Sequence, residues 1–576
     1  MSSSKLNRLS RWGTAALALS LVPGCSMSPR STGGPSDSLA WQSRSEVPLE
    51  EATPRDDTSG QKQAEASAPK RAESADVGLG LDMVAKTPAE PLAPPPPPPA
   101  PVKMKPMGRT SPTAQPEPVS PGNTFAQHAP NAFTETAADR FSTFAVDVDT
   151  ASYSVTRRYL SQGALPPHGA VRVEELVNYF KYRYTPPEQG AFTVHLEGAP
   201  SPFNANRHFV RVGVQGKVVS RSQRKPAHLV FLVDTSGSMN QQDKLPLAKE
   251  AMKIAVKNLN ENDTVALVTY AGGTRDVLGP TPATNLERIY KAIDSLESGG
   301  GTAMGSGMEL AYRHAVKKVS GNTVSRVVVL TDGDANIGPN VSADAMLHSI
   351  QGYVKEGVTL STIGFCMGNY RDDLMEKLAN KGNGNCFYID SYKEAKKVFE
   401  TQLTGTLEVI AKDVKVQVEF DPKVVSRYRL VGYENRDIAD RDFRDDKVDA
   451  GEIGAGHSVT ALYEVELTGE KAALGTVRIR AKAPNGTEAA EQAFPFEQRM
   501  LRASVDAASP DFRFALAVAA TADVLRGSPS TQGWNLATVQ KLAQGATEGN
   551  SEREEFTRLL ARARELLGSA VARDGR

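Results

Sequence analysis

Apolar positions are spread very unevenly along this chain. From Met27 to Pro130 they follow neither a helical nor a strand period, and 20 of the 37 prolines fall here, including the run Pro94–Pro99. Such a stretch cannot bury a core and is expected to be a disordered tether. A coil of about 100 residues has an end-to-end distance on the order of 55 Å, and polyproline segments lengthen that reach. Folded pattern begins near residue 131. Phe141–Val148 reads as a strand, and Asp149 or Thr150 stands where it can cap a helix through Tyr153, Arg157 and Leu160. Val173–Tyr182 places Leu176, Val177 and Phe180 on one helical face, and Phe192–Leu196 and His208–Val214 alternate like half-buried strands.

Residues 226–405 switch to short apolar runs interleaved with amphipathic helices. The strands are His228–Val233, Thr264–Tyr270, Arg326–Leu330, Val358–Phe365 and Cys386–Ile389, with a weak one near Asp276–Leu278. The helices are Leu245–Leu259, Leu286–Leu296, Ala303–Val319, Ala343–Lys355, Asp372–Asn380 and Lys393–Leu403. That alternation predicts an α/β, doubly wound, mostly parallel sheet. From 406 to 500 the period changes again, and Val414–Phe420, Ser458–Leu467 and Gly475–Ala481 read as antiparallel strands of a β-sandwich. Phe512–Leu525, Leu536–Ala543 and Glu552–Leu567 then form a C-terminal helical region, 501–576. The strands on either side of the α/β unit are too few to bury two faces separately. Pooled, they make one β domain into which the α/β unit is inserted.

Composition narrows the function classes. At 576 residues the chain should hold about three to four units. Lys+Arg and Asp+Glu are both 67, so no global field attracts nucleic acid or an anionic membrane. Three cysteines and no CxxC pair exclude a disulfide-stapled scaffold and a thiolate zinc site. No apolar run reaches the roughly 18 residues of a membrane span. At the start, Lys5, Arg8 and Arg11 precede a short apolar stretch, Trp12–Pro23, which reads as an export signal over 1–24. Val22-Pro23-Gly24-Cys25 resembles a bacterial lipobox, with Pro23 where a small residue is usual. The resemblance implies a lipid on Cys25 and, with Ser26 next, an outer-membrane address; residues 25–130 are then anchor and linker.

One constellation carries chemistry. The first strand of the α/β unit ends in Asp234-Thr235-Ser236-Gly237-Ser238, and in such sheets ligands bind beyond the carboxyl ends of the strands. Gly299-Gly300-Gly301-Thr302 offers another hydroxyl before a helix, and Thr331-Asp332-Gly333 a second carboxylate at the same edge. Oxygen ligands with few charges suit a small hard cation, Mg²⁺ first, with Mn²⁺ or Ca²⁺ also accommodated. The pattern D-x-S-x-S, then Thr, then Asp resembles the metal-ion-dependent adhesion site (MIDAS) of von Willebrand factor type A (VWA) domains, over roughly 226–405. The resemblance implies that Asp234, Ser236, Ser238, Thr302 and Asp332 hold the ion. The flanks, from Thr143 to Pro186 and the C-terminal helices, also look like one group of exported bacterial VWA proteins.

Enzymatic alternatives lack their residues. The eight histidines form no H-E-x-x-H, Ser306 lacks a G-x-S-x-G elbow, and no phosphate-cradling G-x-x-x-x-G-K-[ST] loop occurs. Asp147 and Asp149 lack calcium-loop spacing and read as strand end and cap; Asp334 and Asn435–Asp449 read as solvated turn and charged loop. Cys366 and Cys386 fall at opposite ends of adjacent strands, out of disulfide reach if those strands are parallel. The expected function is non-catalytic: a lipid-tethered envelope protein that binds a protein partner, whose Asp or Glu completes Mg²⁺ coordination. The alternative is an envelope assembly factor whose metal site engages its own neighbouring domain.

Overall fold

The computed structural model describes residues 122–146, 149–333, 343–365, 370–448 and 450–574. Its central element is a six-stranded sheet in the order Cys386–Ile389, Thr359–Phe365, Val324–Thr331, Ala227–Asp234, Thr264–Tyr270, Thr274–Pro282. All neighbours are parallel except the last pair, which is antiparallel. Apolar side chains cover both faces, as buried parallel strands require. Val230, Leu232, Val327 and Val329 pack on one helical layer, while Leu229, Phe231, Val328 and Leu330 pack on the other. The weak strand near Asp276–Leu278 is the nine-residue edge Thr274–Pro282, mostly exposed and therefore faint in apolar pattern. The strand order reverses at Ala227–Asp234, which puts the switch point at Asp234.

The flanks interleave in space. Arg207–Gly216, which precedes the α/β unit, pairs with Ser458–Leu467, which follows it. Likewise Phe141–Ala145 pairs with Val409–Phe420. One sheet runs Thr134–Glu135, Val425–Val431, Ser458–Leu467, Arg207–Gly216, Phe192–Pro200; the other joins Val409–Phe420 to Ile453–Gly454, Gly475–Lys482, Ala489–Phe496 and Phe141–Ala145. Residues of both sheets, among them Val212, Val416, Val459 and Ile479, share one apolar core. Phe420 stacks on Tyr428 and meets Tyr463 edge-on at 5.3 Å across that core.

A helical layer completes the flank. Ala151–Ser161 and Val173–Asn178 share a core with the C-terminal helices Pro510–Leu525, Leu536–Gln544 and Ser551–Asp574. Phe180 lies edge-on to Phe514 at 4.9 Å and to Phe556 at 5.7 Å. The helix expected to reach Tyr182 ends at Asn178, whose amide instead bonds Thr460 of the neighbouring sheet. The two crossings into the α/β unit meet: Lys225 N donates to Glu408 Oε2 at 2.9 Å. Among the described residues no helix is long and apolar enough to cross a membrane.

Candidate metal centre

The chain leaves Ala227–Asp234 in a turn that its neighbours hold closely. Thr235 N donates to Tyr270 O at 2.9 Å, fastening the turn to the next strand. Gly237 N donates to Gly300 O at 3.0 Å and Gly299 N to Thr235 O at 2.8 Å, so the two loops are laced together. Ala303 N closes the glycine loop on Ala271 O at 2.7 Å. Gly300 needs its freedom here: its φ is +85°, and an added Cβ would meet Gly272 N at 3.2 Å.

Asp234, Ser236, Ser238, Thr302 and Asp332 are all brought to this one sheet edge. Asp234 is fully buried; Oδ1 accepts from Ser236 N at 2.8 Å and Oδ2 from Thr331 Oγ1 at 2.8 Å. Ser236 and Ser238 turn their hydroxyls to each other at 3.0 Å. Thr302 and Asp332 are buried at 2 % and 0 % exposure, whereas Gly237, Gly299 and Gly300 are open to solvent. The site therefore has a dry floor of carboxylates and an accessible rim.

Burial pushes the Asp234 carboxyl up to about 6; the bonds from Ser236 oppose this, and the charge of Asp332 adds to it. Burial beside another acid disfavours Asp234 as an anion, and a cation held at this edge would relieve that cost. The oxygen-only donor set fits a small hard ion.

One participant was not evident from sequence. Lys244 Nζ lies 2.9 Å from Asp332 Oδ2, with only 4 % of its side chain exposed. The signal was a lysine immediately before the apolar helix Leu245–Lys257, at its N-cap, where its side chain makes no cap bond. Thr331, read only as the end of its strand, orients Asp234.

The other candidates sort differently. Asp149 makes no calcium loop: Oδ1 accepts from Cys386 N at 2.6 Å, and Oδ2 pairs with Arg436 at 3.0 Å. It joins Glu175 and Glu376, ligand oxygens within 4.8 Å of one another, but Arg172 and Arg436 already pair with that group. The stretch Asn435–Asp449, expected to be a charged loop, plants Arg436 in a buried network. Cys386 is free and buried, opposite Thr362 in a parallel pair. Cys25, Asp147, Asp334, Cys366 and Asp449 lie outside the described residues.

A von Willebrand factor type A domain model matches residues 228–401, and a von Willebrand factor model matches 120–211. Sheet order, edge and matched residues define a VWA-domain protein, a class whose members generally serve as protein-interaction or adhesion-type modules. The C-terminal model of the uncharacterized protein YfbK matches 405–474 and 468–566. Over 470 residues the chain is 38 % identical to the uncharacterized protein YfbK of Escherichia coli (strain K12), covering 76 % of this chain and 80 % of that one; the chain belongs to the YfbK family. It is also 29 % identical over 202 residues to the uncharacterized protein sll0103 of Synechocystis sp. (strain ATCC 27184 / PCC 6803 / Kazusa), covering 35 % of this chain and 46 % of that protein. A solved structure titled von Willebrand factor type A from Catenulispora acidiphila aligns with TM-score 0.40 at 19 % identity, covering 62 % of this chain and 88 % of that one.

Proposed function

We propose that this protein is a non-catalytic, metal-dependent binding protein of the bacterial cell envelope, anchored at the outer membrane by a lipid on Cys25. The observation that carries the reading is the solvent-open edge where Asp234, Ser236, Ser238, Thr302 and Asp332 converge around a dry floor. These five would hold Mg²⁺, or Mn²⁺ or Ca²⁺, directly or through water. The ion, when bound, supplies an open coordination position for an Asp or Glu of a protein partner. The chain's own residues do the rest: Thr331 and the Ser236 amide orient Asp234, the glycine loop keeps the rim open, and buried strands exclude water from below. We read the two flanking sheets as a β-sandwich scaffold that presents this edge.

Crosslinking pull-down from envelope fractions tests the reading, comparing wild type with Asp234→Ala in Mg²⁺ and in chelator. Partners recovered only by wild type in Mg²⁺ support it. Recovery of the same partners from all four samples overturns metal-dependent binding. For the anchor, Cys25→Ser should abolish labelling by an alkyne fatty acid; an unlabelled wild type removes the lipid.

A further inference from the structure

Lys244 is a buried cation set against the proposed metal centre. Its ammonium donates to Asp332 Oδ2 at 2.9 Å, with side-chain exposures of 4 % and 0 %. Its backbone is fixed on both sides, Lys244 N to Gln241 O at 3.0 Å and Ala248 N to Lys244 O at 2.8 Å. The preceding residue, Asp243, is held by Arg158 of the flanking helix at 2.8 Å. A lysine that merely capped its helix would extend its stem into water, as long basic side chains usually do. This one is turned inward onto a carboxylate.

The charge balance shows what that placement does. Asp234 and Asp332 together carry two negative charges, which a divalent ion cancels completely. An incoming carboxylate would then be drawn only by the ion's open coordination position, with no net charge to help it. With Lys244 included, the unloaded centre is less negative by one and the ion-loaded centre is left with one positive charge. Two opposed consequences follow from Coulomb's law in a dry site. The ammonium repels the divalent ion and shares one of its ligands, so it weakens metal binding. It also leaves the loaded site positive, so it strengthens binding of an anionic partner.

We propose that Lys244 is the specificity-determining residue of this centre: a resident cation that trades metal affinity for affinity toward carboxylate ligands. The proposal rests on the metal-binding reading above. Until the ion arrives, Lys244 holds Asp332 and keeps the two buried acids from repelling the loops apart. After it arrives, the same charge makes the rim selective for Asp or Glu over neutral side chains.

The test measures two affinities on the full chain: Mg²⁺ by titration calorimetry, and ¹³C-acetate by nuclear magnetic resonance in saturating Mg²⁺. Lys244→Met should bind Mg²⁺ about tenfold more tightly and acetate at least about fivefold more weakly, a split that simple structural damage does not produce. Lys244→Arg, which keeps the charge, should match wild type in both. Wild type that binds no Mg²⁺ would remove the metal reading itself. Wild type that binds Mg²⁺ while Lys244→Met equals it in both affinities, or loses both, overturns only the role of Lys244. If Lys244→Met is unfolded in chelator, recovery of its circular dichroism spectrum in Mg²⁺ supports the reading that Lys244 offsets the buried acids until the ion arrives. Failure to recover overturns it.

Discussion

Asp234 and Gly300 show at the scale of single residues how function constrains the fold. Asp234 is buried beside Asp332 and raised to about 6, so its ionised form carries a standing penalty that the proposed ion would remove. Mg²⁺ at 100 times its dissociation constant should stabilise the protein by about 2.7 kcal/mol. Asp234→Ala should abolish that gain in melting temperature while the fold survives; an unchanged wild-type curve across a millimolar titration would remove the metal. Gly300→Ala should cost about 1–2 kcal/mol for a side chain at left-handed φ, and should displace the loop against Gly272. Thermal melting checks the cost, and calorimetry should show weaker Mg²⁺ binding in the same variant. The five oxygen-bearing residues were legible because three lie in one turn and two follow recognisable strand or glycine signals. Lys244 was not, because Asn240-Gln241-Gln242-Asp243 makes its surroundings look solvated. Only the return of Val324–Thr331 brings Asp332 over it.

Elements were legible where apolar pattern dominates and hidden where buried charges replace it. Val425–Val431 is not among the expected strands, because its arginines interrupt the apolar pattern, yet Arg429 is fully buried, bonded to Glu464 at 2.8 Å and Asp523 at 3.1 Å. Ala489–Phe496, with Pro495 and two polar residues, is an edge strand, where a missing amide is tolerated. The expected helix Lys393–Leu403 is Tyr392–Lys397 followed by a π-helical turn, Val398–Gln402. The same habit of burying ion pairs joins elements across the molecule. Arg157, on Ala151–Ser161, pairs with Asp390 at 2.6 Å, Glu394 at 2.8 Å and Glu555 at 3.3 Å, linking flank, VWA unit and C-terminal helix. Arg157→Ala leaves Asp390 and Glu394 without their counter-charge, while Glu555 keeps Lys393 at 2.7 Å, and should destabilise by about 3–5 kcal/mol in chemical denaturation. Arg172 and Glu175 clamp the neighbouring helix start, where Glu175 accepts from Ser152 N at 2.9 Å. Burial raises Glu175 to about 7; Arg172 opposes this, and Glu376 and Asp372 add to it. A carboxyl raised on folding binds more protons in the native state, so stability is full below the unfolded value near 4.5 and falls as pH rises to about 7. Glu175→Gln should flatten that slope in denaturation series run in Mg²⁺, which the proposed site would use to hold Asp234 ionised.

The whole molecule is a VWA unit set between strands that belong together. The register from Ser458 opposite Gln215 to Glu466 opposite Arg207 closes the flank across the insert. Limited proteolysis near Gly405 should therefore leave 131–225 and 406–576 associated on native gel filtration, and their separation would contradict the shared sheets. This arrangement was readable from strand arithmetic, since neither flank has strands enough for two faces; the exact partners were not, because register is set by tertiary contacts. The interleaving also dictates an order of assembly. Synthesis proceeds from the N-terminus, and Val214 waits for Val459, roughly 250 residues downstream, before its strand can be bonded on that side. The VWA unit, whose strands pair within their own 226–405 stretch, can mature during that interval and draw Lys225 toward Glu408. A nascent chain halted before residue 458 would thus carry a finished VWA unit on an unfinished base, with the edge of Arg207–Gly216 bare. That interval is when an escorting chaperone has the most to cover.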